Sequence, residues 1–315
     1  MSEIIPNFFI VGQPKCATTQ LSVNLNLHPK IYFLDSYEPH YFAKDLMKEV
    51  DKNKGFIEKI INFNAVLNCR DLNVYLNLFN NNNNNKIVGE KSTNYLYSKV
   101  AAKEIYNFNP NAKILIILRS PKTFIPSFHS QCIKSSGEYL PLFDALKLEN
   151  NRKKGFYLKN VKIPSILFYK ERIKYTKQIK RFEKYFPSKQ IKIIFFEDYK
   201  KDNQKIYNEI FEFLDIENIK IENNKNNHLR VEPKNNIYLY IYLFLNNNNF
   251  YFIPKKLIKR KYYIILRKYL YLLFFKQKPY QFDLKVDKFI EDISKDEVEK
   301  LEKYLKKNIK KKWNY

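Results

Sequence analysis

The sequence predicts an α/β fold built on a buried parallel sheet, and three observations carry that prediction. Phe8 to Val11 is a short continuous apolar run that passes through the tight segment Gly12 to Thr19 into Leu21, Val23, Leu25 and Leu27, which reads as strand, loop and helix. Lys113 to Leu118 is an apolar strand that stops abruptly at Arg119-Ser120-Pro121, the pattern of a buried parallel strand with a functional residue at its carboxyl end. Further apolar runs at Ile31 to Leu34 and Ile191 to Phe196 alternate with amphipathic stretches such as Tyr175 to Phe186.

The first strand sets the chemistry. A strand feeding a helix N-terminus presents unpaired N–H groups and the positive end of the helix dipole, so it favours a phosphate before any side chain is counted. Lys15 adds a point charge, and Thr18 and Thr19 add hydroxyl donors. The same residues read equally well as a helix cap. The spacing is not that of GxxxxGK[ST], because Lys15 precedes the hydroxyl pair by three residues, and no magnesium-binding carboxylate is evident after a later strand. A phosphate loop without a metal partner resembles the 5′-phosphosulfate loop of sulfotransferases that use 3′-phosphoadenosine 5′-phosphosulfate (PAPS), usually P-K-x-G-T-T or Q-K-x-G-T-T. This chain reads Pro14-Lys15-Cys16-Ala17-Thr18-Thr19, with Ala17 at the glycine position, where a methyl group either crowds the phosphate or strains the backbone.

The elements that follow extend the resemblance in order. His28-Pro29 ends the first helix, and the second strand leads into Tyr37-Glu38-Pro39-His40-Tyr41-Phe42, similar to the K-E-P-H-F-F of glycan sulfotransferases, whose Glu deprotonates the acceptor. The resemblance makes Glu38 the candidate base, with His40 orienting it or the acceptor; an isolated Glu-Pro is otherwise a solvated turn. Residue Ala43 stands where those enzymes commonly have Asp. Residues 44 to 79 read as amphipathic helix and Asn80 to Asn85 as a polar loop. Ile87 to Tyr95 resembles G-E-K-[ST]-x-x-Y, from which Lys91 is carried over as a second cation beside the transferred group; alone, Glu-Lys is a surface ion pair. The strand ending at Arg119 matches L-R-x-P-x-x-R-x-x-S, whose Arg and Ser bind the 3′-phosphate. Arg119 and Ser127 stand at that spacing, and Phe124 replaces the intermediate Arg. A planar guanidinium suits a phosphate. His129 is a possible second base, or a packed histidine.

Gly137 to Lys154 reads as helical, Tyr175 to Phe186 as a helix stopped by Pro187, Ile191 to Phe196 as a strand closed by Glu197-Asp198-Tyr199, and Ile206 to Leu214 as the following helix. Asn227 to Lys234 resembles a late N-x-S-x-x-P-[RK] segment with Leu229 in place of the hydroxyl, so Arg230 and Lys234 are phosphate contacts or a charged linker. From Ile237 to Phe275 basic and aromatic residues interleave, as in a helical segment that lies on an anionic membrane face or packs on its own domain. Val298, Leu301, Leu305 and Ile309 mark a helix over 294–312, ending at Trp313.

The resemblance implies one domain over residues 1–315, a three-layer α/β/α fold with a central parallel sheet and a P-loop-like phosphosulfate-binding loop. It implies PAPS as donor and 3′-phosphoadenosine 5′-phosphate (PAP) as product, with no metal. The nucleotide contacts it assigns are Gln13, Pro14, Lys15, Cys16, Ala17, Thr18, Thr19, Arg119 and Ser127, with Arg230 and Lys234; the catalytic groups are Lys15, Glu38, His40 and Lys91. The acceptor it implies is a carbohydrate or glycolipid. A P-loop-type kinase is the enzymatic alternative, and the non-enzymatic one is an inactive sulfotransferase scaffold that binds nucleic acid or a membrane surface. Nucleic acid is not the expected partner.

Composition bounds these readings without choosing among them. At 315 residues and 45% apolar content the chain buries a substantial core. The net charge of +25 fits an anionic partner, or a chain-wide bias towards Lys, Asn and Ile. Three scattered cysteines, Cys16, Cys69 and Cys132, suit neither a disulfide framework nor a zinc site. No basic region precedes the first apolar run and no run reaches spanning length, so a cytoplasmic protein is expected, with peripheral membrane contact through 237–275 as a further reading.

Overall fold

The computed structural model describes residues 5–34, 38–53, 69–80, 86–158, 161–222, 231–234, 275–277 and 283–315, with isolated positions at 238, 241, 269 and 273. Strands β1 (Phe8–Ile10), β2 (Ile31–Phe33), β3 (Ile87–Lys91), β4 (Lys113–Leu118) and β5 (Ile191–Phe195) form one parallel sheet in the order β2-β3-β1-β4-β5. The first strand is therefore central, flanked by two strands from later in the chain. That is a topological switch point, where a ligand crevice opens at the carboxyl ends of the strands.

The helices in chain order are α1 (Thr18–Leu25), α2 (Lys44–Lys52), α3 (Leu72–Asn77), α4 (Ala101–Phe108), α5 (Pro121–Ser135), α6 (Leu142–Lys147), α7 (Glu149–Lys153), α8 (Tyr169–Arg172), α9 (Tyr175–Glu183), α10 (Phe196–Lys201), α11 (Asn203–Leu214), α12 (Leu284–Leu305) and α13 (Ile309–Trp313). Within the first unit α1 and α11 pack on one face of the sheet and Tyr75 of α3 and Phe108 of α4 join the cluster on the other, which is why its strands are continuous apolar runs and not alternating ones. Side chains alternate across a strand, so Phe8, Ile10, Leu115 and Ile117 pack with Leu21 and Leu25 of α1 and with Ile206, Ile210, Phe211 and Leu214 of α11. Phe9 faces the other way and meets Phe42 edge-on at 5.8 Å, and Phe42 packs on Tyr75 and Phe108. Gly89 is fixed by packing: a Cβ there would lie 2.4 Å from the Phe33 ring.

The described residues cluster into two compact units. The first holds the sheet and comprises residues 1–124, 170–226 and 289–315. The second comprises 125–169 and 227–288. Within the second, strands β6 (Val231–Pro233) and β7 (Phe275–Gln277) pair antiparallel. Among its described residues, buried Glu138 receives both terminal nitrogens of Arg152 at 2.7 Å and the Tyr169 hydroxyl at 2.9 Å. Glu138 and Arg152 are fully buried, so loss of either partner strands a charge and costs about 3–5 kcal/mol.

Three expectations need adjustment. The helical stretch over 44–79 contains α2 and α3, with 54–68 outside the described residues. The closing helix begins at Leu284, where the Asp283 carboxylate accepts the N–H groups of Lys285 and Val286, and it breaks at Lys306, which takes φ 51°. Asn308 then caps α13 by accepting the Lys311 N–H at 3.2 Å. Of the basic aromatic segment 237–275, nearly all lies outside the described residues. Among the described residues no helix is long and apolar enough to cross a membrane.

Candidate active site

The loop after β1 is shaped by contacts that leave little freedom. A Cβ on Gly12 would fall 2.0 Å from the Ile117 side chain, so only glycine lets the chain pass β4 here. Gln13 turns inward: its N–H donates to Ile117 O at 3.3 Å, and its amide donates to Arg172 O at 3.0 Å and Gln178 Oε1 at 2.7 Å. Lys15 and Ala17 then take positive φ, 64° and 59°. Ala17 is the N-cap of α1, no side chain caps that helix and its first turn carries no acid, so the first-turn N–H groups and dipole are available to an anion. Between them Cys16 is fully buried, its thiol donating to Pro14 O at 3.7 Å, and burial pushes it up to about 12. It is a packing residue and not a nucleophile at neutral pH.

Arg119 closes the loop from the end of β4. Its Nη1 donates to Lys15 O at 2.6 Å and its Nε to Thr123 Oγ1 at 2.9 Å, while the guanidinium lies 4.4 Å above the Phe196 ring. Tyr175 donates its hydroxyl to Arg119 O at 2.8 Å. Next to it the Ser120 N–H and the Trp313 indole N–H share the Glu197 carboxylate at 3.0 and 2.9 Å. Burial lowers the Lys15 pKa, and the nearby Arg119 charge lowers it further; burial also lowers that of Arg119, which remains a cation. Two cations close enough to feel each other's charge raise the affinity of the place for an anion.

The third cation joins this loop to the candidate base. Lys91 is 3% exposed, and its ammonium donates to Thr19 Oγ1 at 3.1 Å and lies 3.3 Å from Glu38 Oε1. The other oxygen of Glu38 receives the Thr93 hydroxyl at 2.8 Å, the Thr93 N–H at 3.2 Å and His40 Nε2 at 3.3 Å. Burial opposes ionisation of Glu38, yet the hydrogen bond and charge of His40, with Lys91 and Thr93, outweigh it and hold the pKa at about 2. Glu38 is thus an ionised carboxylate, able to accept a proton, aimed at the same space as the loop.

The structure brings together Lys15, Ala17, Thr19, Lys91, Glu38, His40 and Arg119, and Thr18 opens α1 from a buried position. It gives other expected contacts different work. Gln13 is spent on Arg172 and Gln178, and the side chains of Pro14 and Cys16 are buried. Ser127 lies on α5 in the second unit, where Lys234 is exposed just after β6; Arg230 lies outside the described residues. His129 is buried, its Nε2 2.9 Å from Leu140 O, so it is a packed histidine. Phe124, at the position of the missing Arg, is fully buried. Sequence reasoning missed Thr93, Thr123, Phe196 and Glu197, since a hydroxyl, a ring or an acid beside a motif becomes a contact only once the strands are adjacent.

The chain matches the family model described as a sulfotransferase domain over residues 6–270. A solved sulfotransferase from Alicyclobacillus acidocaldarius superposes with TM-score 0.59 at 28% identity, covering 71% of this chain and 87% of that one. Carbohydrate sulfotransferase 15 of Homo sapiens is 26% identical over 152 residues, 37% of this chain and 25% of its own length. Heparan sulfate glucosamine 3-O-sulfotransferase 5 of Mus musculus is 27% identical over 199 residues, 60% of this chain and 47% of its own. The chain thus aligns with between a quarter and about half the length of these curated relatives. With the parallel sheet, the cationic loop and a match across most of its length, the chain belongs to the sulfotransferase domain family.

Proposed function

We propose that this protein transfers a sulfuryl group from PAPS to a hydroxyl or amine of a carbohydrate or glycolipid acceptor. The observation that carries the reading is the Lys91 ammonium, 3.1 Å from Thr19 of the phosphate loop and 3.3 Å from Glu38. One cation thereby joins the anion site to a proton acceptor, as an in-line transfer from an anionic donor to an alcohol requires. The residues fit the donor: an uncapped helix N-terminus, a glycine without room for a Cβ, and Lys15 and Arg119 on either side of one loop. Lys15, Thr18, Thr19 and the α1 N–H groups would hold the phosphosulfate and Arg119 the 3′-phosphate. When bound, PAPS supplies an electrophilic sulfur and a phosphate leaving group.

Each side chain then has a task. Glu38 accepts the acceptor proton, His40 and Thr93 keep its second oxygen in place, Lys91 stabilises charge on the transferred group, and Lys15 stabilises charge on the departing phosphate. The low pKa of Glu38 has a consequence for timing, because a carboxylate held at about 2 is a weak base. An anion placed against Lys91 offsets the pull of that ammonium and makes Glu38 more basic when the acceptor is present. The carbohydrate acceptor rests on the names of the two curated relatives and on the Glu38-Pro39-His40 segment. Lys15→Ala should lower kcat for sulfate transfer by about a hundredfold or more while circular dichroism stays unchanged. Assays with radiolabelled donor and a saccharide panel, run with and without EDTA, test this. Transfer by Lys15→Ala at the wild-type rate contradicts the reading, and phosphate transfer from ATP that EDTA abolishes points to a kinase.

A further inference from the structure

Glu90 is a fully buried acid on β3, one residue before Lys91 and on the opposite side of the strand. It pairs with Phe9 of β1 and sits among Phe42, Tyr75 and Tyr95, an aromatic layer in which an unserved carboxylate is costly. Three hydroxyls serve it: Ser92 Oγ at 2.5 Å, Tyr75 at 2.8 Å and Tyr95 at 3.1 Å. Two of those hydroxyls have a second partner. Ser92 Oγ accepts the His40 N–H at 3.0 Å, and the Tyr95 hydroxyl accepts the Phe42 N–H at 3.3 Å. A carboxylate only accepts, so it draws both protons to itself and leaves the oxygen lone pairs to the backbone of residues 40–42. His40 has φ 54°, a strained conformation for a residue with a side chain, which persists only where its surroundings impose it.

We propose that Glu90 is a positioning residue for the acceptor base: through Ser92 and Tyr95 it pins the Glu38–Phe42 segment so that Glu38 faces Lys91. The inference rests on the transfer reading above and adds to it a residue that touches neither the donor loop nor the base. The same short segment supplies the rest of the template, since Lys91 and Thr93 contact Glu38 directly. Glu90 also meets the charge of Glu38, and Cys69 and Tyr75 feel its own charge. Burial raises it to about 7, against the pull of its three hydroxyl donors, so it is the accepting carboxylate of this arrangement above that pH.

Two variants test the proposal. Glu90→Gln puts an NH2 donor against a hydroxyl that now donates, and Ser92→Ala removes the link to His40 together with one of the three donors to Glu90. Both should lower kcat roughly ten- to a hundredfold, the usual effect of displacing a reacting group by about an ångström. PAP affinity, measured by calorimetry, should stay within about twofold, because Lys15 and Arg119 are untouched. A second readout needs no turnover: the chain has four histidines, and the His40 ring signals in NMR spectra, assigned by their loss in His40→Gln, should shift in both variants while those of His28 and His129 do not. If Glu90→Gln fails to fold, Ser92→Ala carries the test. Wild-type kcat together with unmoved His40 signals overturns the proposal. A wild-type protein that transfers no sulfate to any acceptor overturns the functional reading instead, and the His40 signals still decide the role of Glu90.

Discussion

Ala17 holds the left-handed conformation that the turn into α1 demands, with φ 59°, and does so without glycine's freedom. A side chain there costs about 1–2 kcal/mol, so Ala17→Gly should raise stability by about 1 kcal/mol, read as a higher urea midpoint, without weakening PAP binding; a lower midpoint contradicts that account. Glu38 and Glu90 titrate in opposite senses. Glu38 is held below its ordinary 4.5, so its contribution to stability is present above that value and is lost as pH falls towards 2. Glu90 is held above 4.5, so its contribution is full below that value and is lost as pH rises through 7. Relative to Glu90→Gln, the wild-type urea midpoint should fall between pH 4.5 and 7; parallel curves would refute the burial argument. Anion binding beside Lys91 should also place the acid limb of kcat at higher pH than that of kcat/KM, since the former reports Glu38 in the complex. Arg119 was legible because it ends an apolar strand, and Lys15 because it lies between an apolar run and a helix, whereas Glu38 and Lys91 were legible only through the segments that resemble sulfotransferase motifs. The role of Glu90 was not, because its partners Tyr75 and Tyr95 come from separate stretches and nothing local marks an acid as buried.

Among the elements, four of the five strands were readable as short apolar runs, and their ends shifted by no more than a residue from the expected places; β3, with Gly89, Glu90 and Lys91 in it, was marked only by the resemblance of Ile87 to Tyr95 to a family segment. The helices were harder where caps and turns decide them. Asp283 starts α12 and the positive φ of Lys306 ends it, and neither interrupts the apolar spacing that marked one helix to Lys312. That break gives α13 its function. Trp313 reaches Glu197, Glu197 holds the Ser120 N–H, and Lys312 pairs with Asp198, so the last helix braces the end of β4 that presents Arg119. Trp313→Ala should cost about 3–5 kcal/mol for the lost core side chain. It should also weaken PAP binding several-fold at temperatures where the variant remains folded. Unchanged affinity in the folded variant would show that Arg119 does not need this brace.

At the scale of the whole molecule, a net charge of +25 sets a field that gathers anions from solution, while the switch point of the sheet decides where one is held. The central claim is that the loop at Lys15 and the strand end at Arg119 form a single site for a doubly phosphorylated adenosine, as their 2.6 Å hydrogen bond suggests. General attraction and a built site respond alike to salt but differently to the nucleotide and to a substitution at Arg119. Screening weakens both, but only the site distinguishes adenosine 3′,5′-bisphosphate from adenosine 5′-monophosphate. Isothermal titration of the full chain with adenosine 3′,5′-bisphosphate should give one site per chain, binding at least tenfold weaker in Arg119→Ala and weaker again for the monophosphate. No heat, or equal affinity for both nucleotides in the wild type and the variant, would contradict the account.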